Sequence, residues 1–182
     1  LFLWVTAMDE MVKQAMAKWP DVPACYGWLG LDARGRWYMR DAAVQAQGAF
    51  VQARGAVLQH DKLLAFIHRN YQADAEGCWF FQNGPQRVYV ELELAPLIWR
   101  LEHGQPVAHT GQAGGAVRAC WLDETGRVYL DCTLGLGLVH SLDMYAVAQE
   151  LERGRWQVQM VESADLPRIG NFVLSPLAKI LI

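Results

Sequence analysis

The chain has 182 residues, a mass of 20.5 kDa, 53% hydrophobic residues and a formal net charge of −3. That length allows one sizeable core or two small ones, and the interspersed charges form no basic stripe of the kind that tracks phosphates, so no nucleic-acid partner is expected. The apolar runs fall short of the roughly 18–20 residues that a bilayer crossing needs, so no membrane span is expected.

Residues 1–7 are apolar but lack a basic flank, and they read as an upstream extension with Met8 as the natural start. Met8, Met11, Val12, Ala15, Met16 and Trp19 then share one face at helical spacing until Pro20 stops the pattern. Residues 25–31 and 36–41 read as strands around an Asp32-Ala33-Arg34-Gly35 turn. Residues 42–59 mix helix formers with Gly48, Gly55 and Val-rich stretches, so their structure is expected to be mixed. Asp61 opens a short helix carrying Leu63, Leu64, Phe66, Ile67 and Tyr71, and residues 72–77 lead out of it.

Residues 77–94 read as two strands joined by Asn83-Gly84-Pro85-Gln86. Val88, Val90, Leu92 and Leu94 fall on one face and Arg87, Tyr89, Glu91 and Glu93 on the other, the period of a half-buried strand. Gly84 supplies positive φ and Pro85 fixes its own φ, which makes the reversal rigid. Pro96 interrupts the run. Residues 97–102 are expected as an edge strand before a Gly-rich link at 111–115.

The second half repeats the order of the first. Residues 31–38 and 122–129 share Leu, Asp, Gly, Arg and Tyr at the same offsets, a helix at 60–71 corresponds to one at 141–153 capped by Ser141, and Gly77-Cys78-Trp79 corresponds to Gly154-Arg155-Trp156. Duplication and convergent turn chemistry both account for this. The expected fold is α+β: an N-terminal segment of residues 1–24 that includes the amphipathic helix, and two β-rich halves, 25–104 and 105–182, around a shared core. In the second hairpin, Leu122 opposite Arg127 would set Cys120 against Tyr129. Cys25, Cys78, Cys120 and Cys132 are widely spaced without a Cys-x-x-Cys pair or a secretory signal, which points to reduced, buried thiols and a cytoplasmic location.

The run Phe80-Phe81-Gln82-Asn83-Gly84-Pro85-Gln86-Arg87-Val88-Tyr89-Val90 is preceded by His68-Arg69-Asn70-Tyr71 and followed by Gly137-Leu138-Val139-His140-Ser141-Leu142-Asp143-Met144. It resembles a bacterial family catalogued only as a domain of unknown function, over most of the chain from Met8. The order of elements is also similar, more loosely, to a second uncharacterised bacterial family whose two small β-rich subdomains have been taken to suggest ligand binding or signalling. Neither resemblance carries a catalytic residue.

The residues themselves offer few chemical motifs. His60 and His68 would stand roughly 12 Å apart along a helix, and His103 and His109 lack ligand spacing, so no metal or other cofactor is expected. His140-Ser141-Leu142-Asp143 holds the residue types of a hydrolytic triad without a nucleophile elbow. Gly135-Leu136-Gly137 lacks the third glycine of a dinucleotide loop. Glu91 and Glu93 are expected on a solvated face, and Trp79, Phe80, Phe81 and Tyr89 leave one aromatic face in need of cover. The expectation is a non-catalytic module that binds a small molecule or a protein in the crevice between the halves, with Gln82, Gln86, Arg87, Tyr89 and His140 as candidate site residues. The alternatives are an enzyme with His140 or His60 as base beside an acidic partner, or a structural subunit that forms homo-oligomers through the N-terminal helix.

Overall fold

The computed structural model describes residues 8–182, so the expected extension at residues 1–7 lies outside the described residues. The chain divides into two units. The first comprises residues up to 31 together with 37–92 and 175–182; the second comprises 93–174 together with 32–36.

In the first unit, α1 (Glu10–Lys18) precedes β1 (Cys25–Leu31), β2 (Trp37–Met39), α2 (Ala42–Ala46), β3 (Ala56–Val57) and α3 (Asp61–Arg69). A meander of β4 (Tyr71–Ala73), β5 (Trp79–Asn83) and β6 (Gln86–Leu92) follows. The six strands form one mixed sheet in the order β3-β2-β1-β6-β5-β4, with β1 parallel to β6. Val88 faces Phe81 and Tyr89 faces Phe80 across the β5–β6 hairpin, and Gly84 has φ +56°, so the Asn83-Gly84-Pro85-Gln86 turn read from the sequence, with Gly84 at positive φ, is present.

In the second unit, β7 (Leu97–Glu102) and β8 (Gln105–Ala108) form a hairpin, followed by β9 (Val117–Asp123), β10 (Val128–Cys132) and β11 (Gly135–Val139). Next come a 3-10 turn at Ser141–Asp143, α4 (Met144–Glu152), β12 (Val158–Val161), a 3-10 turn at Ser163–Asp165 and α5 (Leu166–Ile169). The sheet order is β12-β9-β10-β11-β7-β8. The short α6 (Pro176–Ile180), capped by Ser175, returns to the first unit. The α+β class and two similar β-rich halves are therefore as expected.

Topology adds a correspondence to the one the sequence offers. In each sheet a hairpin lies beside a three-stranded meander, and the last strand of the meander runs parallel to the first strand of the hairpin: β6 with β1, and β11 with β7. By this measure the counterpart of the Asp123 turn is the turn at Asp74. Asp32, Asp74 and Asp123 all use Oδ1 to accept backbone N–H groups two and four residues on, at 2.8–3.0 Å. Gly35, Gly77 and Gly126 follow at φ near +80°, which closes a three-residue loop that L side chains strain to adopt.

Several sequence expectations change. Residues 97–102 are an interior strand, because Glu102-His103-Gly104-Gln105 turns tightly, with His103 and Gly104 both at positive φ, and adds β8 outside it. The β9–β10 register is one residue away from that expected: the three-residue loop sets Asp123 against Arg127, so Leu122 pairs with Val128 and Cys120 with Leu130. All four cysteines are free, and burial pushes Cys120 up to about 11 and Cys132 up to about 12. In α1 only Val12 is buried; Met11 is 82% exposed, and the helix is tied to α3 by Asp9, whose carboxylate binds Arg69 and Asn70. The mixed stretch 42–59 is organised by the buried Arg40, which donates to the carbonyls of Gly27, Gly48 and Ala53.

The cap of the 141–153 segment is also reassigned. His140, not Ser141, accepts through Nδ1 from the Leu142 N–H at 3.1 Å, just as His60 caps α3 through Leu63 N–H at 3.2 Å. His68 plays a different role: its Nε2 accepts from the Trp37 indole at 2.9 Å, which requires a neutral ring, and burial lowers its pKa from the ordinary 6.5. A base whose folded pKa is lowered binds fewer protons folded than unfolded, so its contribution is complete above pH 6.5 and falls as pH drops below that value. Burial lowers His140 in the same direction. Thermal melts should therefore decline from about pH 6.5 towards pH 5, and His68→Gln, which keeps an acceptor but does not titrate, should make that decline shallower. An unchanged slope would contradict the neutral-acceptor assignment.

Candidate functional site

On the β4–β5–β6 face of the first unit lies an open cavity of about 580 Å³, lined by Gln72, Asp74, Glu76, Phe80, Arg87 and Tyr89 with two alanines. Strand alternation brings these groups together: Tyr89 stands opposite Phe80 and Arg87 opposite Gln82, so all four share a face. The Arg87 guanidinium lies over the Phe80 ring, 4.5 Å from its centroid. Tyr26 stacks on Tyr89 with centroids 4.7 Å apart and planes 7° from parallel. The Tyr89 hydroxyl donates to Asp74 Oδ2 at 2.9 Å. Burial raises the Tyr89 phenol above its ordinary value, and Asp74 adds to the rise while Arg87 opposes it.

The charges on this face are unequal in their commitments. Asp74 Oδ1 holds the N–H groups of Glu76 and Cys78, its Oδ2 holds Tyr89, and Glu76 pairs with Lys179 at 3.3 Å. Arg87 makes no ion pair among the described residues. The wall thus holds an exposed guanidinium without an ion pair, stacked on the buried Phe80 and hydrogen-bonded to Tyr89.

Of the five residues proposed from sequence, Arg87 and Tyr89 meet here. Gln86 sits at the hairpin tip and donates to the Pro23 carbonyl at 3.0 Å. Gln82 is buried rather than displayed: its amide donates to the Gly84 carbonyl at 3.0 Å, and its Oε1 is buried without a hydrogen-bond partner. His140 belongs to the second unit as a cap. With Nδ1 accepting at His140 and at His60, the neutral tautomer carries its proton on Nε2, which makes that nitrogen a donor and not a base. Asp143 of the His-Ser-Leu-Asp run binds Arg100 and the Leu101 N–H instead.

Sequence reasoning missed Asp74, Glu76 and Gln72. Their signal was the Asp-x-x-Gly spacing of 74–77, the same as that of 32–35 and 123–126. The expectation of a solvated face for Glu91 is also overturned, because Glu91 is buried, accepts from Ser175 Oγ at 2.8 Å, and is pushed up in pKa by burial. Glu93 accepts the Ala33 N–H. Gly137 serves packing: a Cβ there would come within 2.5 Å of the Trp99 indole nitrogen.

A second, apolar cavity of about 230 Å³ in the same unit is lined by residues including Trp28, Met39, Leu63 and Phe81. No cluster of three or more metal-ligating side chains occurs among the described residues, and no helix there is long and apolar enough to cross a membrane.

Two mixed sheets with short helices define an α+β protein whose class rests on fold and family. The model of the family described as "Protein of unknown function (DUF2946)" matches residues 8–176, and the chain belongs to that family. The crystal structure of a DUF1285 family protein from Silicibacter pomeroyi DSS-3 is similar in fold, with a TM-score of 0.50 and 12% identity over 79% of this chain and 85% of that one. No curated protein matches the chain. The resemblance to an uncharacterised domain family drawn from the sequence is thus met.

The placement of the two glutamines separates structure from display. Gln82→Ala should lower stability by about 1–3 kcal/mol in urea unfolding, because it removes a buried side chain whose amide bonds the Gly84 carbonyl, whereas Gln86→Ala should cost less than about 1 kcal/mol. Equal losses would contradict this assignment.

Proposed function

We propose that this chain is a non-catalytic binding module that takes a small anionic molecule against Arg87, in the cavity bounded by Gln72, Asp74 and Tyr89. The observation that carries this reading is the imbalance of commitments on the β4–β5–β6 face. Both carboxylates are bonded within the chain, whereas Arg87, held over Phe80 and beside Tyr89, has no ion pair among the described residues and would meet a carboxylate or phosphate in a planar, two-point geometry. Tyr89 is held in place beforehand by Tyr26 and Asp74, so little side-chain entropy would be lost on binding. The volume of about 580 Å³ lies within the range of small-molecule sites. The Gln72 amide on the rim offers a hydrogen bond that would orient the ligand.

Thermal-shift and calorimetric titration against a panel of small carboxylates and phosphate esters tests this. At least one compound should stabilise the chain, and Arg87→Gln should weaken its binding by about tenfold or more while leaving the ligand-free melting temperature nearly unchanged. Binding that is indifferent to Arg87→Gln, or a panel without a single ligand, would contradict the reading.

A further inference from the structure

The chain contains three asparagines, Asn70, Asn83 and Asn171, and their surroundings differ in what they allow a side-chain amide to do. Asn70 is buried; its side chain accepts the Asp9 N–H and donates to Asp9 Oδ2 and to the Phe66 carbonyl. Asn171 is exposed, but the residue after it is the buried Phe172, whose N–H donates to the Pro167 carbonyl at 2.9 Å. Asn83 is exposed too, its side chain makes no hydrogen bond among the described residues, and it alone of the three is followed by glycine.

The hairpin tip leaves the Gly84 nitrogen open to this neighbour. Gly84 has no side chain to shield its nitrogen, and a Cβ built there would have only the Ala15 Cβ within reach, at 4.0 Å. Its N–H bonds nothing among the described residues, while its carbonyl takes the Gln82 amide. Asn83 is the last residue of β5 and pairs only with Gln86 across the turn. A single pair at the end of the ladder therefore has to open before the Asn83 side chain can turn onto the nitrogen, and ladder ends are where local opening costs least.

We propose that Asn83 is a site of spontaneous deamidation, driven by the main chain of its own hairpin. The Gly84 nitrogen gives up its proton and bonds to Cγ of Asn83, the Cγ–Nδ2 bond breaks, and Nδ2 leaves as ammonia with that proton. Water then opens the five-membered imide at one of its two carbonyls and leaves either aspartate or isoaspartate at this position. Both products replace a neutral amide with a carboxylate, and isoaspartate also routes the main chain through Cβ. The added backbone atom falls between Gln82 and the Gly84 carbonyl that its side chain holds, and it displaces the Asn83–Gln86 pair, so the hairpin loses its register at the tip. Asn83 also lines the apolar cavity with Phe81 and Val88, where a carboxylate is poorly solvated.

Incubation of the full chain at mildly alkaline pH, sampled over days and followed by peptide mapping in a mass spectrometer and by ammonia release, is the test. The acid should accumulate at position 83 at least about tenfold faster than at Asn70 or Asn171, and folding should slow it by no more than about tenfold relative to the chain in urea, the small barrier of opening one terminal pair. The rate should climb with pH, because base removes the proton from the attacking nitrogen. Asn83→Gln, which would need a larger ring, should keep its amide under the same conditions. The isoaspartate form, separated by chromatography, should melt below both the fresh chain and Asn83→Asp, which carries the charge without the longer backbone. An Asn83 that stays an amide in the folded chain while it reacts in urea, or acid that appears first at Asn70 or Asn171, would overturn the proposal.

Discussion

The Asp74 carboxylate accepts three hydrogen bonds: from the N–H groups of Glu76 and Cys78 through Oδ1, and from the Tyr89 hydroxyl through Oδ2. The first two close the β4–β5 turn, with Gly77 at φ +82°. The third fixes the aromatic wall of the candidate site. Asp32 and Asp123 build the same turn, but the residue after their glycine is arginine, and Arg36 takes Oδ2 of Asp32 at 2.8 Å. At 78 that position holds cysteine, which leaves Oδ2 of Asp74 for a residue on the neighbouring hairpin. A device that serves local structure at Asp32 thus ties a turn to a site at Asp74.

The two units use one plan and diverge in what they expose. Each sets a hairpin beside a meander with one parallel contact. In the first unit one face of β6 sets Tyr89 and the exposed Arg87 beside Phe80, with no ion pair to the arginine among the described residues. In the second unit the equivalent strand, β11, is glycine-rich and almost fully buried, because Gly137 makes room for Trp99, whose indole donates to the Leu130 carbonyl. Exposure there shifts to the edge at β12. A shared topology therefore does not imply two copies of one site.

Much of the fold was legible because it rests on local rules. The two strands around the Asn83–Gln86 turn, the positive φ at Gly84 and the apolar side of α3 all follow from residue spacing, although β6 ends at Leu92 and is buried on both faces from Tyr89 onward. The parts that misled were set by distant partners. Glu91 reads as solvated until Ser175, 84 residues on, is placed beside it. Gln82 reads as displayed, yet its side chain bonds the turn it precedes. Residues 72–77 read as a helix exit because β4 is only three residues long, too short for alternation to show. His140 and His60 read as bases by residue type, while their geometry makes them caps, a use that no spacing rule marks out for histidine.

The central claim is that the Asp74 turn positions a site for an anion. It is tested most directly by following backbone amides in NMR titrations with acetate and with inorganic phosphate, in the unmodified chain and in Asp74→Ala. The unmodified chain should show shifts concentrated at residues 72–77 and 87–89. Asp74→Ala removes a negative charge, so simple electrostatics would strengthen anion binding there; the present account predicts that the shifts are lost, because Tyr89 and the turn are no longer held. Shifts that persist or grow in Asp74→Ala, or that fall elsewhere on the chain, would contradict it.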